Sequence, residues 1–509
     1  MEQKAIKTPV FVNEIIFEQS AEQPIDVDFS LPDYCPDIVK IQKCRAVSRI
    51  SSRTVSGRSI TVDGCVTVTC VYTDDRNRIC AYEYQYPFNR SFEADTDCDG
   101  AEISCRTKCE YINCRAITGR KIDIHGAAGV YLTLKKRKCT EVISDFDDNS
   151  TELRRAKAPA TSPIGCAEKY IVIEEEIECG AGQPPVRSLI RYDANTAVRE
   201  CKILAGKVMV RGELVLTLLY CPEEGGPQTV RSTIPFSQLL EIDGVNDGCE
   251  CEAKTELAYI DLKPRFSGAG EEKSFRLNAK ILVCGEAYCS NDIDVVTDAY
   301  TRKYEADIVR EEVCFDRICR SINESFSCKK SLDFPENSLY EIADMWCEVE
   351  KRSVNTENGR LTVCGTLTVC VIAIDCDGVP CYHEKPVDFE YTLPLDDGIE
   401  CRRCEPNITV LSCGYTLNGA SSMEVRTELS ISAAVYECHR IPLITDIRVD
   451  TKRPVEKKEK CAMTICFACD GESVWDIARR YGAAVEEIKQ INDITDDTLE
   501  CAKMILVPN

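Results

Sequence analysis

Residues 60–72 read ITVDGCVTVTCVY, and this stretch decides how the chain folds. Apolar residues alternate with polar or small ones on both sides of its central glycine, which is the period of a half-buried antiparallel strand. Residues 208–220 (VMVRGELVLTLLY) and residues 361–374 (LTVCGTLTVCVIAI) repeat the pattern. The three central glycines lie 148 and 153 residues apart. This regularity indicates one β-rich unit that is present three times.

The central glycines are followed by other residues at fixed distances. Gly64 is followed eight residues later by a tyrosine and twenty-three residues later by Pro-Phe, and Gly212 is followed by the same residues at the same distances. The third copy keeps Phe389 but has Asp388 in place of proline and Ala373 in place of tyrosine. Identical spacings in two copies are hard to obtain by chance, so these two copies are related. The third copy keeps the glycine and the phenylalanine at the same spacing, so we interpret it as a diverged member of the same set.

We predict a mainly β fold with three repeated β-rich domains, each a sandwich or barrel of short strands joined by Gly and Pro turns. A basic linker and a small α+β module of β-α-α-β order follow the repeats. The boundaries between repeats are expected near residues 150–165, which are rich in Ala and Pro, and near residues 300–312. The predicted bounds are 1–150, 165–300 and 312–445 for the repeats, 451–460 for the linker TKRPVEKKEK and 461–509 for the module.

The C-terminal module is predicted from its own pattern. A short apolar strand runs into the turn Asp470-Gly471-Glu472, and Ser473 stands where a helix N-cap belongs. Gly482 is expected to end this helix, and the closing strand is expected at residues 505–507. The apolar stripes of the two predicted helices are Val474, Ile477, Ala478 and Tyr481, then Val485, Ile488 and Ile491.

Composition excludes several classes of function. A net charge of −23 argues against nucleic acid and against an anionic membrane surface as partners. No apolar run approaches eighteen residues, so no membrane span is expected. The first twenty residues carry acidic side chains within their apolar patch, unlike a secretory signal. We therefore expect a protein that is made and kept in a cytoplasm.

The chain contains 34 cysteines, an unusual number for such a protein. Many occupy strand positions where valine would serve, as Cys65 and Cys70 do in CVTVTC, and free cysteine behaves there as a small buried hydrophobe. Buried, reduced thiols are one interpretation. Oxidative cross-linking in an assembled shell is the other, with loop cysteines as its candidates: Cys98, Cys249, Cys381 and Cys404.

No residue pattern indicates catalysis or a metal. The three histidines (His125, His383 and His439) are isolated in sequence, and no Gly-rich phosphate loop of the Walker type is present. The cysteines near Cys466-x-x-Cys469 and near Cys401-x-x-Cys404 do not supply the four ligands of a structural zinc site. We predict no catalytic residue, no metal and no cofactor, and therefore a protein that is not an enzyme.

Residues 463–508 resemble a LysM module, with Gly471-Glu472-Ser473-Val474, a Tyr-Gly pair, an Asn after the second helix and a final Val-Pro. Together with three repeats and the motif LPDYCPDI at residues 31–38, the whole chain resembles the SipL-like clostridial spore coat morphogenetic proteins, which combine SPOCS domains with LysM. The resemblance implies a non-enzymatic scaffold of spore coat assembly in the mother cell, at the forespore surface. It also implies docking on a SpoIVA-like coat-basement ATPase, with the LysM region contributing to that contact.

The resemblance places a binding groove between two loops of the module. Its residues are Gly471, Glu472, Ser473, Val474, Ile491, Asn492, Asp493 and Ile494. The sequence departs here from the LysM modules that bind peptidoglycan or chitin-type glycans, which usually carry Gly-Asp-Thr-Leu in the first loop and Gly-Gln before the last strand. The second loop is acidic and aromatic residues are few. The alternative function is a peptidoglycan-binding or N-acetylglucosamine-polymer-binding protein whose repeats are spacers.

Two aromatic residues are further candidates for partner contacts. Trp475 is either an exposed contact for a partner or a residue packed on the module's own sheet. Tyr34 lies in LPDYCPDI, where two prolines favour an extended chain that exposes Asp33 and Tyr34. The alternative for this segment is a rigid turn that begins the first repeat.

Overall fold

The fold is known from a computed structural model. It describes residues 5–148, 150–180, 182–265, 273–357, 359–395, 403–404, 406–455 and 462–508. The described chain before residue 462 forms antiparallel strands and their loops, and both helices of the described chain lie near the C-terminus. The predicted mainly β class is confirmed.

Each repeat begins with a long strand, continues with four strands of ordinary length and ends with another long strand; the third repeat has one additional strand of two residues. In the first repeat the strands are β1 (Ala5–Ser30), β2 (Lys40–Ser56), β3 (Ser59–Thr73), β4 (Ile79–Glu93), β5 (Glu102–Thr118) and β6 (Lys121–Phe146). In the second they are β7 (Thr151–Glu178), β8 (Val186–Leu204), β9 (Lys207–Pro222), β10 (Gln228–Leu240), β11 (Glu250–Pro264) and β12 (Ser274–Thr301). In the third they are β13 (Tyr304–Asp333), β14 (Glu341–Glu357), β15 (Arg360–Ile374), β16 (Pro380–Pro394), β17 (Arg403–Cys404), β18 (Asn407–Leu417) and β19 (Ser422–Pro454).

Every repeat is a sandwich of two antiparallel sheets. In the first, the meander β2-β3-β4 packs on the sheet β1-β6-β5, and the same order recurs as β8-β9-β10 on β7-β12-β11 and as β14-β15-β16 on β13-β19-β18. The strand with the central glycine is the middle strand of its sheet in all three. Its inward side chains meet those of the last long strand, as Ile60 and Val66 meet Ile122 and Val130, all four at most 1% exposed. The predicted sandwiches are confirmed.

The spacing between glycine and phenylalanine has a direct cause in strand register. Gly64 pairs with Phe88 across the hairpin, Gly212 pairs with Phe236, and Gly365 pairs with Phe389 in the third repeat. In the first two repeats the phenyl ring lies over the glycine, so that a Cβ there would sit 2.2 or 2.4 Å from a ring carbon. The missing side chain therefore makes room for the ring that covers the strand.

Gly212→Ala is expected to destabilise the second repeat by about 1–3 kcal/mol, because the new methyl would meet the Phe236 ring at 2.4 Å and the carbonyl oxygen of Ala197 at 2.7 Å. Urea unfolding followed by circular dichroism measures this as a lower midpoint. Gly180→Ala is the matched control, since its Cβ would have only Gln183 as a neighbour, at 3.5 Å. Equal midpoints for the two variants would contradict the packing argument.

The spacing between glycine and tyrosine also has a cause. The Tyr72 hydroxyl donates to the carbonyl of Pro36 at 3.1 Å, and the Tyr220 hydroxyl donates to the carbonyl of Pro184 at 3.0 Å. Each buried tyrosine thus holds the proline-containing segment that enters the hairpin sheet. Ala373 stands at this position of the third repeat and has no hydroxyl to do so.

The three repeats pack together around a common line. The outer parts of the long strands extend beyond the sandwiches and meet there, where equivalent positions of the three repeats share a core. Side chains from all six long strands take part, and the most buried are Val10, Val142, Ile143, Ala158, Val295, Val296, Ala299, Phe315, Leu443 and Ile444. The repeats therefore form one body with an approximate threefold arrangement.

Equivalent positions of the hairpin sheets also meet, and here they bury charge. Arg45 of β2 binds Asp193 of β8 at 2.6 Å, and Arg191 of β8 binds Asp344 of β14 at 2.7 Å. Arg45 also binds Glu348 at 2.6 Å. We call these five residues the axial cluster. The side chains of Arg191 and Asp344 are both 3% exposed, so the cluster is a buried ionic link between repeats.

The regions predicted as boundaries are described only in part. Residues 151–165 lie within strand β7 rather than in a separate connection, and residues 304–312 lie within β13. Of the predicted linker, residues 451–454 belong to β19 and residues 456–460 fall outside the described residues. The exact domain limits stay predictions.

Some cysteines are buried in strands, and others have their sulfur atoms close to that of a second cysteine. Cys70 and Cys370 replace core aliphatics as expected and are at most 1% exposed, while Cys65 is half-buried. Of the predicted cross-linking candidates, Cys98 and Cys249 are buried, so they are not exposed loop thiols. The structure contains two disulfides among the described residues, Cys44–Cys114 and Cys314–Cys438.

Candidate functional site

The C-terminal module has the predicted β-α-α-β order. Its elements are β20 (Met463–Ala468), α1 (Val474–Tyr481), α2 (Val485–Ile491) and β21 (Lys503–Pro508). The two strands pair antiparallel, with Cys466 opposite Ile505. Gly482 ends α1 with φ +66° and donates its N–H to the carbonyl of Ala478, which confirms the predicted stop.

Ser473 occupies the N-cap position but does not cap the helix. Its backbone is extended (φ −77°, ψ 134°), and its side chain makes no capping hydrogen bond. It forms instead a single β-bridge with Thr498 of the opposite loop. Its hydroxyl oxygen is buried and has no hydrogen-bond partner among the described residues. Ser473 therefore takes the predicted N-cap position without the expected capping hydrogen bond, and its hydroxyl is left available.

The first predicted groove loop, residues 471–474, lies beside residues 497–499, which follow the second predicted loop. The Val474 N–H donates to the carbonyl of Asp497 at 2.9 Å, and the Leu499 N–H donates to the carbonyl of Glu472 at 3.0 Å. Gly471 makes the turn with φ +76° and donates to Leu499 at 2.9 Å. These bonds fix the first predicted loop to residues 497–499 rather than to Ile491–Ile494, so a groove between the two predicted loops stays a prediction.

The side chains of this groove are largely engaged within the module. Asn492 donates to the carbonyls of Ile488 and Leu506 and accepts the N–H of Leu506, which uses its whole amide. Asp493 turns the chain with φ +52°. Ile491 is 38% exposed and Ile494 is half-buried. Asn492 is therefore a structural residue that fixes the second loop to the last strand.

Charge on the groove comes from carboxylates with their own partners. The N–H of Cys469 lowers the pKa of Glu472, and Arg480, at 2.7 Å, lowers it further. Lys489 pairs with Asp497 and lowers the pKa of that carboxyl. Both carboxylates are therefore ionised at neutral pH and engaged in ion pairs within the module. These pairs leave the two acids less available to a sugar.

Trp475 is buried, and it contacts the second repeat. It is 7% exposed, its ring meets the Tyr300 ring edge-on at 5.0 Å, and its indole N–H donates to Asp298 at 2.9 Å. Arg479 binds the same carboxylate at 2.8 Å, and the Tyr300 hydroxyl donates to the carbonyl of Ala483 at 2.7 Å. An exposed Trp475 was one expectation and is wrong. The residue holds the module against β12.

Asp298 is the polar centre of this contact. Burial alone would raise its pKa, but the Trp475 N–H, Arg310 and Arg479 together lower it. The carboxylate is thus ionised and binds three donors from two elements: Arg310 of β13, and Trp475 and Arg479 of α1. The module is joined to the repeats by a charged, partly buried interface.

The other face of the module is apolar and exposed. Met463, Ile465 and Phe467 alternate along β20 and point away from the helices, and Met504 stands opposite Phe467 on β21. They are 49%, 65%, 70% and 70% exposed. We call these four residues the outer sheet face. The sequence MTICFA could have indicated this face, because its large residues alternate with Thr, Cys and Ala, which face the helices.

Tyr34 lies far from the module in sequence and is 83% exposed, as the two prolines predicted. Arg120 holds its segment by donating to the carbonyls of Leu31, Pro32 and Cys35 and by binding Asp37 at 2.7 Å. The segment is therefore a rigid turn with an exposed ring. A contact between Tyr34 and a partner stays a prediction.

The cysteine clusters considered for zinc are described only in part, since Cys401 and Cys461 fall outside the described residues. Among the described side chains, one group of three is close enough to share a metal, Cys314, Asp316 and Cys438, and its two cysteines form a disulfide. No helix in the described ranges is long and apolar enough to span a membrane.

Comparisons with known proteins agree with this architecture. A family model described as SipL, SPOCS domain matches residues 37–117 and 185–264, and a LysM domain model matches residues 470–508. The SPOCS matches lie in the first two repeats, which keep the Gly, Tyr and Pro-Phe spacings. Searches of curated proteins and of solved structures found no match.

These matches define the class of protein. SPOCS domains mark a sporulation protein, and LysM is a family of glycan-binding modules; both families are non-catalytic. The order of elements, the three sandwiches and the final β-α-α-β module agree with both matches. The chain therefore combines two segments that match the SPOCS domain of SipL with a C-terminal segment that matches a LysM domain.

Proposed function

We propose that this protein is a non-enzymatic scaffold of spore coat assembly. It acts in the mother cell at the forespore surface and docks on a SpoIVA-like coat-basement ATPase through its LysM module. The observation that carries the proposal is the outer sheet face, where four large apolar side chains are 49–70% exposed. Exposed apolar patches of this kind mark protein-binding surfaces, and an aromatic residue such as Phe467 is a typical centre for one.

The packing of the repeats supports a scaffold. Three sandwiches share a core along a common line, and Trp475 fixes the module to the second repeat. Such a body presents the outer sheet face at a defined position relative to the repeats. The repeats can then contact other coat components while the module binds the ATPase.

The second candidate function is binding of peptidoglycan or a chitin-type glycan in the groove. The buried Ser473 hydroxyl, which has no partner among the described residues, favours it, because a sugar hydroxyl would satisfy that atom. The ion pairs that engage Glu472 and Asp497 and the hydrogen bonds that engage the amide of Asn492 weigh against it.

Phe467→Glu separates the two functions. In the full-length chain it is expected to weaken binding to a purified SpoIVA-like ATPase by about tenfold or more, because a charge would replace the most exposed ring of the outer sheet face. Binding to peptidoglycan or chitin should not change. Biolayer interferometry measures binding to the ATPase, and co-sedimentation measures binding to the glycans.

Val172→Glu is the matched control, since Val172 is 59% exposed on β7, away from the module. It should bind the ATPase like the natural chain. Saturable glycan binding without any contact to the ATPase would replace the scaffold proposal by the glycan-binding function. A tagged protein spread evenly through vegetative cells, rather than placed around the forespore, would also count against the scaffold.

A further inference from the structure

In every repeat, a cysteine of one sheet lies next to a cysteine of the other sheet. In the first repeat, Cys44 of β2 and Cys114 of β5 form a disulfide with a Cα–Cα distance of 6.1 Å, within the ordinary range of such bonds. Strand β2 belongs to the hairpin sheet and β5 to the opposite sheet. The bond therefore crosses the core of the sandwich.

The other two repeats place cysteine pairs between the equivalent strands. In the second repeat the Sγ atoms of Cys201 on β8 and Cys251 on β11 are 3.2 Å apart. In the third repeat the Sγ atoms of Cys347 on β14 and Cys413 on β18 are 2.7 Å apart. The pairs occupy different positions along these strands, but each joins the first strand of the hairpin sheet to the strand that precedes the last long strand.

The surroundings of these pairs suit oxidation. The hydrogen bond between the Cys347 and Cys413 thiols lowers the pKa of Cys413, and the Cys201 thiol donates to Cys251 and lowers its pKa. One sulfur of each pair is thus the better nucleophile. A cavity of about 770 Å³ where the three repeats meet is lined by Cys347 and Cys413, and by Cys44 of the first repeat. It gives a small oxidant a route to the pair in the third repeat.

We propose that Cys201–Cys251 and Cys347–Cys413 are oxidisable pairs that form disulfides equivalent to Cys44–Cys114, so that oxidation links the two sheets of all three sandwiches. The oxidant is a low-molecular-weight disulfide. The thiolate of Cys413 or Cys251 attacks one of its sulfurs, forms a mixed disulfide and releases one small thiol. The neighbouring cysteine then attacks the mixed disulfide, forms the protein disulfide and releases the second small thiol.

The exchange balances without any further reactant. Two protein thiols lose two protons and two electrons, and one small disulfide gains them and becomes two thiols. The new bonds would close loops of 50 residues in the second repeat and 66 in the third. Loops of this length restrict the unfolded chain, so the oxidised protein resists unfolding more than the reduced one.

Disulfide mapping of the full-length chain tests the proposal. The protein is fully reduced, desalted and incubated with excess oxidised glutathione under native conditions, then alkylated, digested and analysed by mass spectrometry. The expected products are peptides linked through Cys201–Cys251 and through Cys347–Cys413. Recovery of these four cysteines as single alkylated or glutathionylated residues, or linked to other partners, overturns the proposal.

A variant with a matched control gives a second measurement. Cys413→Ser removes the nucleophile of the third repeat and should leave Cys347 alkylated while the Cys201–Cys251 link still forms. Its oxidised form should lose part of the gain in thermal unfolding temperature that the natural chain shows on oxidation. Cys376→Ser, at an exposed cysteine outside these pairs, should keep both links and the full gain. An equal gain in both variants would contradict the third-repeat pair.

Discussion

Replacing Arg191 by alanine is expected to lower the free energy of unfolding of the three-repeat body by about 3–5 kcal/mol, because it removes the partner of the buried Asp344 carboxylate and one of the two partners of Asp193. Arg191 binds Asp344 at 2.7 Å and Asp193 at 2.5 Å, and its guanidinium lies 4.2 Å from the centre of the Trp346 ring. All of these contacts join the second repeat to itself or to the third. Urea unfolding measures the loss.

The pH dependence gives an independent test of the same cluster. Burial would raise the pKa of Asp193, but Arg191 and Arg45 hold it at about 2. An acid with a lowered pKa stabilises the fold above its unfolded value and loses that contribution as pH falls through the folded value. In Arg191→Ala the loss should begin at a higher pH than in the natural chain.

Arg199→Ala is the matched control for this arginine. Arg199 also lies on β8 and binds Glu213 at 2.8 Å, but its side chain is 41% exposed, and a surface pair of this kind contributes about 0–1 kcal/mol. A stability loss in Arg191→Ala no greater than that of Arg199→Ala would show that the axial cluster does not hold the repeats together.

Replacing Trp475 by alanine is expected to release the LysM module from the second repeat and to destabilise the module itself by about 3–5 kcal/mol. The indole packs in the module core and against Tyr300, and its N–H binds Asp298. Hydrogen–deuterium exchange should become faster at the backbone amides of residues 298–301 and 483–485.

Because Trp475 belongs to both cores, a second variant isolates the interface. Tyr300→Leu removes the ring contact and the hydroxyl that donates to Ala483, while it leaves the module's own residues unchanged. It should speed exchange on the facing residues of the module and preserve exchange inside β20 and β21. Unchanged exchange in both variants would mean that the module does not rest on β12 in solution.

The sandwiches could be predicted from local sequence patterns, because the alternation and the glycine-to-phenylalanine spacing of a repeat both lie within one hairpin. The alternation around Gly64 and Gly212 follows from one buried and one half-buried face. The phenylalanine lies twenty-four residues after its glycine because that distance brings it to the opposite position of the hairpin. Register and periodicity are short-range properties, so one sequence suffices to identify them.

The packing between repeats could not be predicted in this way. Trp475 and Asp298 are 177 residues apart, and the partner of Arg191 in the third repeat is 153 residues away. No periodic pattern relates such residues. The predicted groove stays a prediction, since the backbone bonds of its first loop go to residues 497–499. The role of Asn492 was not predicted, because its amide bonds to the backbone of the last strand rather than to a ligand.

The axial cluster has a consequence for how the repeats relate to one another. Arg45, Asp193 and Trp346 pair with equivalent residues of the three middle strands, Thr69, Thr217 and Cys370, so they occupy one position of the repeat. A homotrimer of a single repeat would place three identical side chains there and could not form this ionic pairing. Copies with different sequences can carry different residues there, as the three repeats of this chain do. The repeats are therefore complementary to one another and not interchangeable.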